Sequence, residues 1–372
     1  MRSWWVRPVR GVSRRCATRR PASVPAETPT PSSSTRDSAF APAWGRFARR
    51  VRTDWLSRQL GAVGWNAAIS RRITGRADLR RIRTAAVGSL VSHAASAGLH
   101  AVAGVALAAA LREYSGIWFG WSGEVSATPT INTEEVGNIT YVTLPLNKRD
   151  YDQYYRGFSN ATLWPIFHYR IDLARYSREE YDGYRRVNAM LAEKLMPLLR
   201  PDDIIWIHDY HLIPFAEACR QLGVRNRIGF FLHIPFPAPE ILTAIPPHND
   251  LLKTLCYYDL IGFQTDTDRL AFQDYITREV RGVIEPDGSL TAYGQNFRAG
   301  VYPIGVVPDE IQQLAEGYKG RAHPMRRATD TRRQTIISVD RLDYSKGLPE
   351  RFRGFERYLE TRREQRGNRP LG

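Results

Sequence analysis

The sequence predicts an α/β protein with a Rossmann-like, doubly wound parallel sheet. Short, wholly apolar runs at 204–207, 228–232 and 260–263 are typical of strands covered on both faces. Helical patterns separate these runs, and strands that alternate with helices form right-handed βαβ units. A further apolar run at 335–339 predicts a strand that opens a new set of elements.

The predicted helices lie between these strands. The longest follows Ser177, which forms a capping-box pattern with Glu180. Its inward positions recur at helical spacing, and they are Tyr184, Val187, Asn188, Leu191, Leu195 and Leu198. The other predicted helices cover about 214–222, 250–257, 268–278 and 349–360.

Residues 1–92 differ in composition from the rest of the chain and show no helical or strand period. Positions 1–100 hold 19 arginines, no lysine and four acidic residues, which accounts for the whole formal net charge of +15. A disordered basic tail, a transit peptide and a non-native extension are all compatible with this composition. The lack of lysine favours the last. The remaining chain is neutral, so we expect no nucleic-acid partner there.

Residues 84–111 carry no formal charge and resemble a membrane span in composition. However, His93 and His100 interrupt the stretch, and the apolar run 101–111 is too short to cross a bilayer. We therefore expect no membrane insertion, and instead a buried helix over about 99–115.

The three cysteines, Cys16, Cys219 and Cys256, form neither a disulfide framework nor a zinc pattern. A reducing, cytoplasmic location is therefore expected. His208 and His211 are also poor metal ligands, because a strand end does not place positions three apart on one face. No metal is expected.

Polar residues follow each predicted strand at the same end. His208-Asp209-Tyr210-His211 follow the first run, His233 follows the second and Gln264-Thr265-Asp266 follow the third. Ligands bind outside the carboxyl ends of parallel strands, so these groups predict a polar cleft.

After the fourth run, Arg341 and Lys346 flank a strand-to-helix turn that contains Gly347. A guanidinium, an ammonium and a helix N-terminus suit a diphosphate, although a solvated loop with surface ion pairs is an equal alternative. The chain has no Walker loop and no Gly-x-Gly-x-x-Gly after the early strands, which disfavours a nicotinamide dehydrogenase.

Aromatic residues cluster upstream of this cleft, at 118–121, at Tyr154-Tyr155 and at Trp164. Most aromatic side chains belong to a core, but flat rings also pack on the faces of sugar rings. The residues alone thus indicate a sugar or phosphosugar cleft with an anion-binding corner.

Several motifs together resemble the trehalose-6-phosphate synthase family, glycosyltransferase family 20, from about Gly116 to Tyr358. They are Gly116-Ile117-Trp118-Phe119-Gly120-Trp121-Ser122-Gly123, Tyr154-Tyr155 to Trp164-Pro165, Trp206-Ile207-His208-Asp209-Tyr210-His211, Phe230-Phe231-Leu232-His233-Ile234-Pro235-Phe236-Pro237, Gly262-Phe263-Gln264-Thr265 and Arg341-Leu342-Asp343-Tyr344-Ser345-Lys346-Gly347.

The resemblance implies a GT-B glycosyltransferase, with two Rossmann-like halves that face each other across a cleft. It implies transfer of glucose from UDP-glucose to glucose 6-phosphate, giving α,α-trehalose 6-phosphate and UDP with retention, without metal or other cofactor. A homo-oligomer is possible on this basis. The resemblance assigns catalytic roles to His233 and Asp209, acceptor binding to Tyr155, Asp209 and Trp164, and donor binding to Arg341, Lys346 and Gly98.

Two departures from the family pattern qualify this expectation. The Ser-Asn-Arg motif of the family's first strand is missing, and the Gly-Gly pair that follows it is reduced to Gly98 within 93–99. The second departure is that the donor domain is incomplete. Residues 93–330 would form the acceptor domain, and 331–372 would form only the start of the donor domain. We therefore expect poor turnover by this chain alone. The alternatives are a glucosylglycerol-phosphate synthase, a non-catalytic interaction protein, and a basic binder of nucleic acid or of a membrane surface through residues 1–92.

Overall fold

The computed structural model describes residues 84–88, 116–304, 308–317, 338, 340 and 342–362. All of them lie in the second of two compact units, which covers residues 52–372. Gly98, Arg341, the predicted strand 335–339 (apart from residue 338) and the predicted helix 99–115 lie outside the described residues.

The described strands form one sheet. They are β1 Thr84–Gly88, β2 Gly116–Val125, β3 Asn132–Val136, β4 Ile139–Leu146, β5 Ile204–His208, β6 Arg227–Phe231, β7 Leu260–Phe263, β8 Val283–Ile284, β9 Ser289–Ala292 and β10 Gln295–Val301. Their order across the sheet is β3-β4-β2-β1-β5-β6-β7-β10-β9-β8.

The interior of the sheet is parallel and doubly wound. Parallel pairing runs without a break from β4 through β2, β1, β5, β6 and β7 to β10, and antiparallel strands cover both edges. The chain moves outward to β4 and then crosses back to β5 on the other side of β1. Such a reversal opens a crevice at the carboxyl ends of the strands. The predicted fold class is confirmed.

Strand β1 lies inside the segment 1–92, for which the sequence showed no strand period, so that interpretation of positions 84–88 was wrong. The strand pairs with β2 on one side and with β5 on the other. Ala85, Ala86 and Val87 are buried. Five residues with small side chains are too few to show a period, and their place between β2 and β5 identifies them as a strand. The boundary at residue 92 stays a prediction.

The described helices are α1 Lys148–Asp150, α2 Trp164–Phe167, α3 Arg178–Leu195, α4 Phe215–Gln221, α5 Pro239–Leu242, α6 His248–Leu255, α7 Asp266–Arg278, α8 Pro308–Gly317 and α9 Leu348–Thr361. Of these, α3, α4, α6, α7 and α9 lie within about three residues of the predicted positions, and α1, α2, α5 and α8 were not predicted. Between α1 and α2 the chain forms wide, π-type turns over Tyr151–Leu163, interrupted by a kink at Gly157, where the backbone is not helical. No helix of the described segments is long and apolar enough to cross a bilayer.

The capping box predicted at the start of α3 is only half correct. Ser177 has the extended backbone of an N-cap, but its side chain makes no capping hydrogen bond. Glu180 packs instead against Gly157, where an added Cβ would lie 2.7 Å from the Glu180 carboxyl carbon. Glu180 therefore fastens α3 to the π-type segment, and Gly157 provides the space for this contact.

Candidate phosphosugar-binding site

Asp209 connects the ends of β5 and β6. Its N–H donates to the carbonyl oxygen of Phe231 over 2.8 Å, which extends the ladder by one bond. Its Oδ1 accepts the N–H of Tyr210 at 3.1 Å and the N–H of His233 at 3.4 Å. The backbone of Asp209 is left-handed, with φ of 72°, a region that Asp adopts more readily than most residues. This strained turn directs the carboxylate to the edge of the sheet, where functional groups collect.

The turn after Asp209 is anchored from below by buried polar side chains. The Tyr184 hydroxyl donates to the carbonyl oxygen of Tyr210 at 2.6 Å and accepts the N–H of Ile213 at 3.3 Å. Asn188 Nδ2 donates to the carbonyl oxygen of His211 at 3.1 Å. Tyr184 and Asn188 belong to the predicted inward stripe of α3. The stripe pattern located them in the core, and their polar atoms give them this second role.

Tyr155 lies within the π-type segment and faces this turn. Its ring is nearly parallel to the His211 imidazole, with centroids 5.4 Å apart and 13° between the planes. Its other neighbours are Trp121 at 4.8 Å and Tyr151 at 5.8 Å. Tyr155 is half-buried, so its ring is held on several sides while part of the side chain remains accessible. Wide helical turns often mark functional sites.

Trp164 reaches the same turn from the first position of α2. Its ring centroid lies 5.7 Å from that of Tyr210 and 3.9 Å from that of His168. Tyr210 packs on His211 at 4.0 Å. An unbroken set of ring contacts thus runs from Tyr155 through His211 and Tyr210 to Trp164.

His208 and His233 face each other across β5 and β6. His208 Nδ1 and His233 Nε2 are 3.0 Å apart. Burial lowers the pKa of His233 to about 4, and burial together with the nearby His233 lowers the pKa of His208 well below its usual value. Burial also lowers the pKa of His211 to about 3. These three imidazoles are therefore neutral near pH 7 and offer hydrogen bonds without charge.

The loop after His233 is fixed by a residue that the sequence did not single out. Asp268 is buried, and its Oδ1 accepts the N–H of Phe236 at 2.9 Å. Its other oxygen accepts the Thr265 hydroxyl at 2.6 Å, while Thr265 caps α7 by accepting the N–H of Asp268. The Thr-x-x-Asp spacing was the available signal, because it is a form of capping box.

The turn at Tyr344–Lys346 is held by contacts local in sequence. Asp343 Oδ1 accepts the N–H of Ser345 at 2.8 Å, and Gly347 takes the left-handed conformation, with φ of 59°, before α9 begins. The side chain of Lys346 is exposed. The Arg170 guanidinium carbon lies 5.3 Å from the centre of the Tyr344 ring, which brings this turn next to the segment that follows Trp164.

Four of the residues singled out in the sequence, Tyr155, Trp164, Asp209 and His233, thus meet at the carboxyl edge where the winding of the sheet reverses. One carboxylate, neutral imidazoles and aromatic faces can bind the hydroxyls and the apolar faces of a sugar. Among the described residues, no three His, Cys, Asp or Glu side chains form a group that could hold a metal ion. The expectation that no metal is needed stays a prediction.

The fold and this edge define a Rossmann-like α/β protein with polar and aromatic side chains gathered at the reversal point of its sheet. The family model for glycosyltransferase family 20 matches residues 77–371. The chain belongs to that family.

Individual relatives agree with this assignment. The chain is 52% identical to a trehalose-6-phosphate synthase of Citrobacter koseri over 264 residues, and equally identical to one of Escherichia coli over 276 residues. These matches cover 71% and 74% of this chain but only 56% and 58% of the relatives. The chain therefore spans little more than half of their length.

Solved structures match over a similar part of the chain. An α,α-trehalose-phosphate synthase from Burkholderia xenovorans in complex with glucose-6-phosphate superposes with a TM-score of 0.72 at 54% identity, covering 77% of this chain and 64% of that one. An Escherichia coli structure bound with UDP-2-fluoro glucose gives a TM-score of 0.69 at 49% identity, covering 77% and 63%.

Proposed function

We propose that the chain is part of a retaining glycosyltransferase. This enzyme moves glucose from UDP-glucose to glucose 6-phosphate, with α,α-trehalose 6-phosphate and UDP as products. The observation that carries this proposal is the convergence of Tyr155, Trp164, Asp209 and His233 on one sheet edge in a member of glycosyltransferase family 20. The names of the relatives and the ligands of the two solved structures support the same substrates.

In this proposal the acceptor lies over the turn at 209–211. Asp209 accepts hydrogen bonds from its hydroxyls, the Tyr155 phenol contacts it, and Trp164 selects its anomer. The single carboxylate suits hydroxyl donors, because a charged acceptor strengthens each hydrogen bond. The stacked position of Tyr155 on His211 would fix the direction of the phenol before the ligand arrives.

The donor would lie between His233 and the turn at 344–347, with Lys346 and Arg341 on its diphosphate. Cations placed there stabilise the negative charge that develops as UDP departs. Retention without an enzyme nucleophile then requires attack from the side of the leaving group. In that step the acceptor hydroxyl forms the new bond to the anomeric carbon as the bond to UDP breaks, and a leaving phosphate oxygen takes its proton.

The proposal is tested by incubating the chain with UDP-glucose and glucose 6-phosphate and identifying the product by proton NMR. We expect α,α-trehalose 6-phosphate, formed slowly, and binding of glucose 6-phosphate measurable by calorimetry even where turnover is slight. Failure of the chain to bind either sugar phosphate or nucleotide sugar would overturn the proposal.

Three controls sharpen this experiment. Glycerol 3-phosphate as acceptor distinguishes a glucosylglycerol-phosphate synthase, since that activity would yield its own product in preference. Asp209→Asn keeps the shape of the side chain and removes its charge, so it should weaken acceptor binding while the fold is retained. Addition of a chelator should leave the product yield unchanged, which tests the prediction that no metal is required.

A further inference from the structure

The hydrogen bond between His208 and His233 has a direction, and that direction determines what His233 offers to a ligand. We propose that His208 is a positioning residue: its Nδ1–H donates to His233 Nε2, so that His233 carries its hydrogen on Nδ1 and presents an N–H donor to the cleft. Only the identity of the bound group, a hydroxyl of the donor sugar, rests on the proposed function.

Two neutral arrangements are compatible with the 3.0 Å separation between the two nitrogens. In the first, His208 donates from Nδ1, its Nε2 is bare, and His233 is protonated on Nδ1. In the second, His233 donates from Nε2, its Nδ1 is bare, and His208 is protonated on Nε2. A neutral imidazole has one donor and one acceptor nitrogen, so the direction of this bond fixes both rings.

The burial of His208 distinguishes the two arrangements. His208 is 5% exposed, and its Nε2 is buried without a hydrogen-bond partner among the described residues. The second arrangement would leave an N–H group buried there with no acceptor. Among buried backbone groups, an N–H without an acceptor is rarer than an acceptor without a donor, and we apply the same order to the imidazole nitrogens. The first arrangement leaves only a bare ring nitrogen at this position.

Neighbouring groups hold both rings in place. The Trp206 ring lies 4.5 Å from that of His208, and Phe231 packs edge-on against His233 at 4.8 Å. The backbone N–H of His233 is fixed by Asp209. Burial keeps both imidazoles neutral near pH 7, which is consistent with a donor–acceptor pair rather than a shared charge. His233 is half-buried, and Nδ1 is the ring nitrogen that the pair does not use.

The test is long-range nitrogen–proton NMR on the full chain labelled with 15N-histidine near neutral pH, without ligand. The eight histidines are assigned by single substitutions. We expect His208 and His233 to be protonated on Nδ1, and a coupling across the hydrogen bond between His208 Nδ1 and His233 Nε2. A proton on Nε2 of either ring would overturn the proposal.

Two substitutions at the positioning residue separate its donor from its bulk. In His208→Asn the side-chain amide can replace the Nδ1–H donor, so His233 should stay protonated on Nδ1. In His208→Leu the donor is lost, and His233 should shift toward the Nε2–H form that free histidine prefers. His248→Asn, outside the cleft, is the matched control and should leave the His233 signals unchanged. Should His208→Leu fail to fold, the spectra of the unsubstituted chain decide alone.

Binding then separates this inference from the proposed function. UDP-glucose should move the His233 Nδ1–H signal, and its affinity should fall roughly 3- to 10-fold in His208→Leu but less than about 2-fold in His208→Asn, the range of one hydrogen bond. The expected tautomers with no response to UDP-glucose or glucose 6-phosphate would uphold the pairing and overturn the function. If both ligands bind but either ring is protonated on Nε2, the function would be upheld and the pairing overturned.

Discussion

The edge of the sheet around Asp209 and the turn at 344–347 are both predicted to bind parts of the same substrates, yet they are built differently. The first is held by buried side chains from other elements, such as Tyr184 and Asn188 of α3. The second is held by Asp343 and by the left-handed Gly347, with Arg170 as a side-chain neighbour. The contrast implies that the first region should respond strongly to substitution beneath it, and the second only weakly.

The largest effect should come from pH, through the buried imidazoles of the first region. The folded-state pKa of His211 is about 3, below its unfolded value, so the unfolded chain binds more protons in acid. The stability that this group contributes is complete above about pH 6.5 and falls by roughly 3 kcal/mol as the pH drops to about 4. Urea unfolding at a series of pH values measures this slope. His211→Phe keeps a ring and cannot titrate, so its slope should be visibly smaller; an unchanged slope would exclude His211 as the source.

The second effect concerns the carboxylate that connects β5 and β6. Asp209→Ala removes a charged acceptor and places alanine in a left-handed turn, so we expect glucose 6-phosphate affinity to fall by roughly 10- to 100-fold. Asp209→Asn keeps an acceptor oxygen and tolerates this backbone, so its stability should stay closer to that of the parent chain. Calorimetric titration with glucose 6-phosphate provides the measurement. Equal affinities for all three chains would remove Asp209 from the acceptor site.

A smaller effect is expected beneath the turn. Tyr184→Phe deletes a buried hydroxyl that serves two backbone groups, which should lower the free energy of unfolding by about 1–3 kcal/mol. Tyr358→Phe on α9 changes an exposed tyrosine and is the matched control, with an expected change within about 0.5 kcal/mol. Chemical denaturation compares the two. Similar losses in both chains would contradict the contrast between the regions.

The smallest effect should come from the exposed turn. Arg170→Ala removes the cation that lies over Tyr344, a contact worth about 0.5–1 kcal/mol at an exposed site. UDP affinity should fall only a few-fold, and more salt should reduce the difference further. Arg170 also forms an exposed ion pair with Asp172, and Arg353→Ala on α9, which removes an exposed ion pair with Glu350, is the control for that loss. The two variants are compared in kcal/mol. If the UDP-binding free energy of Arg170→Ala fell by more than the free energy of unfolding of Tyr184→Phe, Arg170 would contribute more to the placement of this turn than one exposed contact explains.

The sequence was most informative where a local pattern coincides with burial. The runs at 204–207, 228–232 and 260–263 are strands within one residue at each end, because uninterrupted apolar side chains leave few other solutions. The sheet edge followed from these strands, and it holds Asp209 and His233 together as expected. Strand β1 was missed because its own sequence carries no strand pattern, and only its pairing with β2 and β5 identifies it as a strand.

The contacts between site residues were harder to predict from the sequence. Nothing in the sequence pairs Tyr155 with His211 or directs Glu180 to Gly157, since such contacts depend on how the π-type turns lie across α3 and the 209–211 turn. The roles of Arg341, Lys346 and Gly98 at the donor, the oligomeric state and the absence of a nucleic-acid partner stay predictions.

Strand β1 also has a mechanical consequence. Within the described sheet it is the sole hydrogen-bonded bridge between the β2–β4 side, which leads into Tyr155 and Trp164, and the β5–β10 side, which ends in Asp209 and His233. Ala86→Pro would remove a donor from this bridge and weaken the seam between the two halves of the cleft. In the proposed arrangement, the side chains on both sides of β1 enclose one sugar. Their relative placement therefore depends on the five small residues of β1, although these do not contact the sugar.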